Sequence, residues 1–127
     1  MLVTHDIVAS APIGMSSTPA VDLFSKWALD NRDEGMETGH SSSVNAMISA
    51  VLDRLPSEFT ALDLGCGNGW AVRRLKLVPN CVFSSGVDGS EVMIKKARSI
   101  DPDGEYFHGM LPQWSPNSPS DLVLSME

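Results

Sequence analysis

Three glycines, each two residues from the next, stand in the stretch LDLGCGNGW that covers residues 62–70. They are Gly65, Gly67 and Gly69, and they separate a short apolar run from a segment with helical periodicity. Glycines at such a junction permit a tight turn and let a ligand approach the backbone, while the N–H groups that open the following helix attract an anionic group. Nineteen residues after Gly69, at the end of the next apolar run, stands Asp88, whose carboxylate can accept hydrogen bonds from ribose hydroxyls. Together they predict a site for a nucleoside cofactor, against the alternative that the glycines only form a turn.

The spacing of the glycines separates the possible cofactors. Dinucleotide sites of the G-x-G-x-x-G type place a third glycine where this chain has Trp70, and no Gly-Lys-Ser/Thr sequence marks a P-loop. The spacing here is G-x-G-x-G, with an acid, Asp63, two residues before Gly65. Two roles for Asp63 stay open: it orients the loop or, through water, a cofactor amino group, or it binds local backbone N–H groups. A nicotinamide-dependent oxidoreductase stays as a weaker alternative.

At these residues the sequence resembles the class I S-adenosylmethionine-dependent methyltransferases. LDLGCGNGW is similar to their first motif, GVDGSEVMIKKAR (86–98) to their second, and SDLVLSME (120–127) to their fourth-strand segment. EGMETGH (34–40) and the final SME are similar to a subgroup of small-molecule methyltransferases. The resemblance covers roughly residues 20–127. It implies a Rossmann-like fold, S-adenosyl-L-methionine as cofactor, and methyl transfer to a small-molecule acceptor.

The resemblance also implies which residues hold the cofactor. Asp88 becomes the ribose ligand, and His40 falls in a segment that lies near the cofactor in the subgroup, with a capping or exposed histidine as the competing interpretation. Met110 and Leu111 either contact adenine or belong to the core, and Cys66 packs behind the glycines. The predicted cofactor-binding set is Asp63, Gly65, Cys66, Gly67, Asn68, Gly69, Asp88, Gly89, Met110, Leu111 and His40, with no metal and no assigned catalytic residue.

Departures from the family pattern favour a second hypothesis. The residue after the ribose acid is Gly89, where the family has an apolar side chain against adenine. The segment HGMLPQW (108–114) carries no acid for the adenine amino group, and the chain supplies four predicted strands where the family sheet has seven. A non-catalytic fragment with a vestigial nucleoside pocket is therefore the alternative. Glu127, His108 and Trp114 are further candidates near an acceptor, each with a structural interpretation beside it.

Alternating apolar patterns predict the elements that position these residues. Strands are predicted at 61–64, 82–87, 105–108 and 121–126, and helices at 70–77 and from a Ser90 cap to Ile100, with Val92, Met93, Ala97 and Ile100 facing inward. Before them, Thr18-Pro19 starts one helix, residues 31–40 form a polar loop, and the serines at 41–43 cap a second helix that ends at Pro56. This order predicts a doubly wound parallel α/β sheet, Rossmann-like but incomplete, with N-terminal helices.

The same patterns divide the chain into a loose N-terminal segment, residues 1–17, and one S-adenosylmethionine-binding domain, residues 18–127. The last predicted strand has no later segment to cover its outer edge. We therefore expect the chain to be a fragment of a longer protein, or to form a homodimer through that strand.

Composition limits the partners of the chain. Its 127 residues carry a net charge of −7, which argues against a duplex-binding module, and no apolar run is long enough to predict a membrane span or a secretion signal. Two cysteines without a Cys/His cluster indicate neither a disulfide framework nor zinc, so a cytoplasmic location is predicted. The basic side chains at 73, 74, 76, 95, 96 and 98 have no interleaved aromatic residues and are predicted to form solvated helix faces.

Overall fold

The computed structural model describes residues 18–126. Helix α1 (Pro19–Leu29) and helix α2 (Glu34–Val51) come first, and a short 3-10 turn (Leu52–Arg54) follows. The remaining elements alternate: β1 (Phe59–Leu64), α3 (Trp70–Leu75), β2 (Cys81–Asp88), α4 (Glu91–Ile100), β3 (Glu105–His108) and β4 (Leu122–Ser125). The predicted loose segment 1–17 and Glu127 lie outside the described residues.

The four strands form one parallel sheet in the order β3-β2-β1-β4. The chain moves outward from β1 through β2 to β3 and then returns to the other side of β1, so the strand order reverses at β1. In open parallel sheets, ligands bind at such a reversal, outside the carboxyl ends of the strands. The loop that leaves β1 at this point is the glycine loop, residues 65–69. The predicted parallel, Rossmann-like sheet of four strands is confirmed.

The larger of two apolar clusters among the described residues joins β1 and β4 to α2 and α3. It contains Phe59 and Ala61 of β1, Leu122 and Leu124 of β4, Val44 and Ile48 of α2, and Trp70, Ala71 and Leu75 of α3. Side chains alternate between the two faces of a strand, so the core residues of β1 recur at every second position. Asp63 continues that alternation toward the carboxyl end of β1, where the cluster ends.

The predicted polar loop at 31–40 is wrong, because α2 begins at Glu34 and continues without a break to Val51. The serines at 41–43 therefore lie inside α2 and cap nothing, and the helix ends before the 3-10 turn and not at Pro56. The prediction treated Gly35 and Gly39 as helix breakers. A Cβ atom at either position would meet nothing within 4 Å, so both lie on an open face of the helix, where a glycine costs only ~1 kcal/mol relative to alanine.

One smaller difference concerns the inner face of helix α4. Helix α4 begins at the predicted Ser90 cap, whose hydroxyl accepts a hydrogen bond from Met93 N at 3.2 Å. Its inner face, however, contains Met93, Ile94 and Ala97, while Ile100 is 49% exposed. Ile100 is the last residue of α4, beyond the part of the helix that the sheet covers.

Among the described helices, none is long and apolar enough to cross a membrane.

Candidate functional site

The glycine loop has a backbone conformation that explains its three glycines. Gly65, Gly67 and Gly69 have φ values of +78°, +55° and +84°, in the left-handed region that other residues rarely adopt. The N–H groups of Gly65 and Cys66 both donate to the carbonyl of Val87, at 2.8 and 2.9 Å. The start of the loop is thus attached to the end of the neighbouring strand β2. Gly69 directly precedes α3, and its backbone forms the turn into that helix.

Asp88 lies at the end of β2 and joins the glycine loop to α4. Its Oδ2 accepts a hydrogen bond from Gly67 N at 2.9 Å, and its Oδ1 accepts one from Ser90 N at 2.8 Å. An ionised carboxylate has about four acceptor positions, so two bonds leave capacity for a ligand. Ser90 in turn shares a 2.6 Å hydrogen bond with Ser25 of α1. The acid predicted to bind a ribose is therefore already oriented by the loop that precedes it.

A cavity of about 330 Å³ opens at the carboxyl ends of β1 and β2, with α1 forming one wall. This volume falls within the ~300–1,000 Å³ typical of small-molecule sites. Nine of the eleven predicted residues line it: Asp63, Gly65, Cys66, Gly67, Asn68, Asp88, Gly89, Met110 and Leu111. The structure therefore brings most of the predicted set together around one space.

Gly69 and His40 are the two predicted residues that do not line the cavity. Gly69 lies behind the loop, where a Cβ atom would stand 2.5 Å from the ring of Tyr106. His40 lies on the exposed side of α2, and its Nδ1 is 3.0 Å from the carbonyl oxygen of Met36 in the same helix. The interpretation of His40 as an exposed helix residue therefore fits its position, because α2 extends through the segment predicted to be a loop.

Gly89 is a departure from the family pattern that the structure explains. A Cβ atom at Gly89 would lie 3.0 Å from Val21 Cγ2 and 3.1 Å from Met110 Sδ. The space that an apolar side chain would take after the ribose acid is filled by these two side chains. Met110 and Val21 both line the cavity, so its wall beside Asp88 remains apolar. In the family pattern one apolar side chain fills this space. In this chain, Val21 of α1 and Met110 of the segment after β3 fill it together.

Asp63 brings a buried carboxyl group to the cavity. The residue is 4% exposed, and it makes no hydrogen bond within the described part of the chain through its carboxylate. Burial, and then the negative charge of Asp88, raise the pKa of Asp63 from 3.8 to about 7. A cationic group in the cavity would lower the pKa of Asp63 again, because it would stabilise the ionised carboxylate. Asp63 can therefore change its charge near neutral pH and responds to the charge of whatever occupies the cavity.

Cys66 has the packing role that the sequence predicted. It is 3% exposed, and a Cβ atom at Gly86 of β2 would lie 2.6 Å from its own Cβ. Burial raises the pKa of its thiol far above neutral, and the charges of Asp63 and Asp88 raise it further. Because the thiolate is the reactive form, Cys66 is not an activated nucleophile.

The remaining candidates do not enter the cavity. Trp114 packs on Phe107, with ring centroids 5.7 Å apart, and His108 is exposed with Nε2 3.1 Å from the carbonyl oxygen of Gly89. The structural interpretations of both therefore fit. Each of the six basic residues contacts an acidic side chain or a carbonyl group: Arg73 and Arg74 of α3, Lys76 just after it, and Lys95, Lys96 and Arg98 of α4. The prediction of solvated helix faces is wrong for Arg73, Arg74 and Lys96, which are half-buried.

Nine further residues that line the cavity were not predicted from the sequence as part of the site. Thr18, Ala20, Val21, Phe24, Asp33, Met36, Trp70, Met93 and Met126 line it as well. Ala20 and Phe24 lie four residues apart on one apolar stripe of α1. An apolar stripe does not reveal whether it faces other side chains or a ligand space. No group of metal-ligating side chains occurs within residues 18–126.

These features define a Rossmann-like domain in which a glycine loop and an acid at the end of the second strand face one cavity. Over 77 residues the chain is 32% identical to trans-aconitate 2-methyltransferase of Escherichia coli, which covers 59% of this chain and 31% of that protein. A chain of the complex between the Haloferax volcanii Trm112 methyltransferase activator and a methyltransferase is 37% identical, with a TM-score of 0.61, over 82% of this chain and 46% of that chain.

A third comparison is with an S-adenosylmethionine-dependent methyltransferase of Mesorhizobium loti, which is 32% identical with a TM-score of 0.50. The aligned region covers 61% of this chain and 38% of the Mesorhizobium chain. No protein-family model matches the sequence. The chain spans less than half the length of each of these relatives. In sequence and in fold, the comparisons confirm the resemblance to the class I S-adenosylmethionine-dependent methyltransferases.

Proposed function

We propose that this chain binds S-adenosyl-L-methionine and serves methyl transfer to a small-molecule acceptor. The observation that carries the proposal is the hydrogen bond between Asp88 and Gly67, which places the acid of the second motif against the glycine loop of the first at the edge of one cavity. Gly67 and Asp88 are 21 residues apart in sequence, so their contact is a property of the fold. The named methyltransferases among the relatives support the same reaction.

The residues around the cavity fit the chemistry of this cofactor. Asp88 would accept hydrogen bonds from the ribose hydroxyls, and the exposed backbone of Gly65 would approach the amino acid part. Met110 and Leu111 would contact the adenine ring, with Met110 in the place left by Gly89. Asp63 has an unshared carboxylate for the cofactor's ammonium group. The cofactor would supply a methyl group activated by a positively charged sulfur.

Methyl transfer by direct displacement asks the protein mainly for alignment and for exclusion of water. Helix α1 supplies the second requirement, because Ala20, Val21 and Phe24 cover the cavity with apolar side chains. Among the described residues that line the cavity, the titratable side chains are acids and a buried thiol. The general base, where an acceptor needs one, is therefore left unassigned.

The test is calorimetric titration of S-adenosylhomocysteine into the chain, after circular dichroism has shown that it folds. Asp88→Asn should weaken binding by ~10- to 100-fold, because a charged acceptor is lost. Asp53→Asn removes the same charge from an exposed position in the 3-10 turn and should leave the affinity unchanged. Equal affinities of the two variants, or no binding by a folded chain, would contradict the proposal and favour the vestigial pocket.

The two alternative functions predict different results in binding and in turnover. A non-catalytic or vestigial fragment would bind the cofactor without turnover in a screen of acceptors, or would not bind it. A nicotinamide-dependent oxidoreductase would bind NAD in competition with S-adenosylhomocysteine. Trp70 argues against the oxidoreductase, because its buried side chain is at the first position of α3, where a dinucleotide-binding loop has its third glycine.

Partners and location complete the proposal. The Haloferax neighbour was solved in a complex with a methyltransferase activator, so we propose that this chain also acts with an activator protein. Coexpression with such an activator, followed by gel filtration, tests the association. A cytoplasmic location and a single domain over residues 18–127 are proposed from the sequence.

A further inference from the structure

Asp33 occupies the N-cap position of α2, but its side chain makes no capping hydrogen bond to that helix. An aspartate at this position ordinarily accepts a hydrogen bond from an N–H group of its own first turn. Asp33 is only 1% exposed, and its oxygens bind groups that are remote in sequence. Its Oδ2 accepts a 2.8 Å bond from Asn68 Nδ2, and its Oδ1 lies 2.8 Å from Lys96 Nζ. The carboxylate thus connects the start of α2 to the glycine loop and to α4.

Asn68 receives this contact at the centre of the glycine loop. While its Nδ2 donates to Asp33, its Oδ1 accepts a 3.1 Å hydrogen bond from Trp70 N, the first N–H group of α3. Its backbone carbonyl accepts a 2.6 Å bond from Arg73 Nη1. The side chain and the peptide group of Asn68 are therefore both fixed. The orientation of the amide follows from the carboxylate, because only the NH₂ end of the amide can donate to Asp33.

Lys96 supplies the counter-charge that a buried carboxylate requires. Its side chain is 18% exposed, and its Nζ also lies 2.9 Å from Asn31 Oδ1 and 3.6 Å from Glu34 Oε1. Lys96 lies on α4, the helix whose cap Ser90 donates its N–H to Asp88. The ion pair therefore joins the start of α2 to the same helix that orients the predicted ribose ligand.

We propose that Asp33 is a positioning residue for the glycine loop. Its carboxylate fixes the amide of Asn68 and, through Asn68, the first turn of α3 and the peptide groups of the loop that face the cavity. Lys96 pairs with the carboxylate in its buried position, with Nζ 2.8 Å from Oδ1. The contribution to cofactor affinity rests on the proposed function, whereas the effect on loop order does not depend on any ligand.

A reciprocal exchange tests the proposal. Asn68→Asp sets two carboxylates against each other, and we expect it to weaken S-adenosylhomocysteine binding by ~10- to 100-fold. It should also speed hydrogen exchange at the Trp70 amide. In the double variant Asp33→Asn/Asn68→Asp, the new amide donates to the new carboxylate and can still accept from Lys96. We expect its affinity to return to within ~3-fold of the unaltered chain, as for residues coupled in one network.

The control is Asp30→Asn, which removes the same charge from an exposed residue three positions before Asp33. Additive effects in the double variant, or single variants that behave like this control, would overturn the proposal. If Asn68→Asp does not fold, Asp33→Ala removes the carboxylate and leaves the Asn68 amide, which accepts from Trp70 N, in place. It should still speed exchange at the Trp70 amide, and an unchanged exchange rate would overturn the proposal. If the unaltered chain binds no S-adenosylhomocysteine, the proposed function fails, and the exchange rates alone decide the role of Asp33.

Discussion

The carboxyl group of Asp63 couples the stability of the chain to pH, and Asp63→Asn measures the coupling. Burial and the charge of Asp88 raise its pKa from 3.8 to about 7. Between these two values the folded chain keeps the proton that the unfolded chain has released. The stabilising contribution of Asp63 is therefore complete below pH 3.8 and is lost as the pH rises through about 7. Above pH 7 the folded chain has to hold a buried charge, which asparagine does not carry.

The size of the effect follows from the shift in pKa. A pKa difference of one corresponds to 1.36 kcal/mol, so the rise of about three sets a ceiling of ~4 kcal/mol. The effective dielectric of a site open to solvent is higher than that of a dry interior, which lowers the expected value to ~2–4 kcal/mol. The free energy of unfolding of Asp63→Asn, relative to that of the unaltered chain, should rise by this amount between pH 4 and pH 8. The same variant should bind S-adenosylhomocysteine more weakly at pH 8, because the ionised carboxylate would hold the ammonium group.

Urea denaturation followed by circular dichroism at several pH values measures the difference. Asp53→Asn serves as the matched control, because it makes the same substitution at an exposed carboxylate in the 3-10 turn. A constant difference between Asp63→Asn and the unaltered chain would contradict the raised pKa of Asp63, since it would mean that the carboxyl group ionises alike in the folded and unfolded chains. A difference that falls with rising pH would mean that a group in the folded chain stabilises the charge.

Three further predictions concern other parts of the molecule. Gly69→Ala should destabilise the chain by ~2–4 kcal/mol, because φ is +84° and the new Cβ would meet the ring of Tyr106. Thermal or urea unfolding measures this change, and an unchanged midpoint would contradict this loop geometry. Cys66 should react with a thiol reagent only as fast as the chain unfolds, whereas the half-buried Cys81 should react earlier, and rapid reaction of both would contradict the burial of Cys66. The outer edge of β4, which is paired to β1 on one side only within the described sheet, should support a homodimer; sedimentation equilibrium that shows a monomer at high concentration would end that proposal.

Local chemistry made the central features of this chain readable from its sequence. The parallel strands follow from short apolar runs that alternate with amphipathic helices, and the three glycines of the loop all have positive φ. The acid at the end of β2 was found because a parallel sheet brings the ends of neighbouring strands to one edge, whatever the connecting segments contain. These features depend on the period of the sequence and on backbone sterics, which act over a few residues.

The features that the sequence did not reveal depend on contacts between remote residues. The segment 31–40 contains two glycines and reads as a loop, yet Glu34 begins a helix at a site where Asp33 is bound by Asn68 and Lys96, 35 and 63 residues away. In the same way, Gly89 departs from the family pattern in sequence, but Met110 and Val21 fill its place in space. Periodicity and propensity decide which segments become helices and strands. Which buried carboxylate contacts which amide depends on how those segments pack. The sequence does not specify these contacts locally, because the two residues are far apart along the chain.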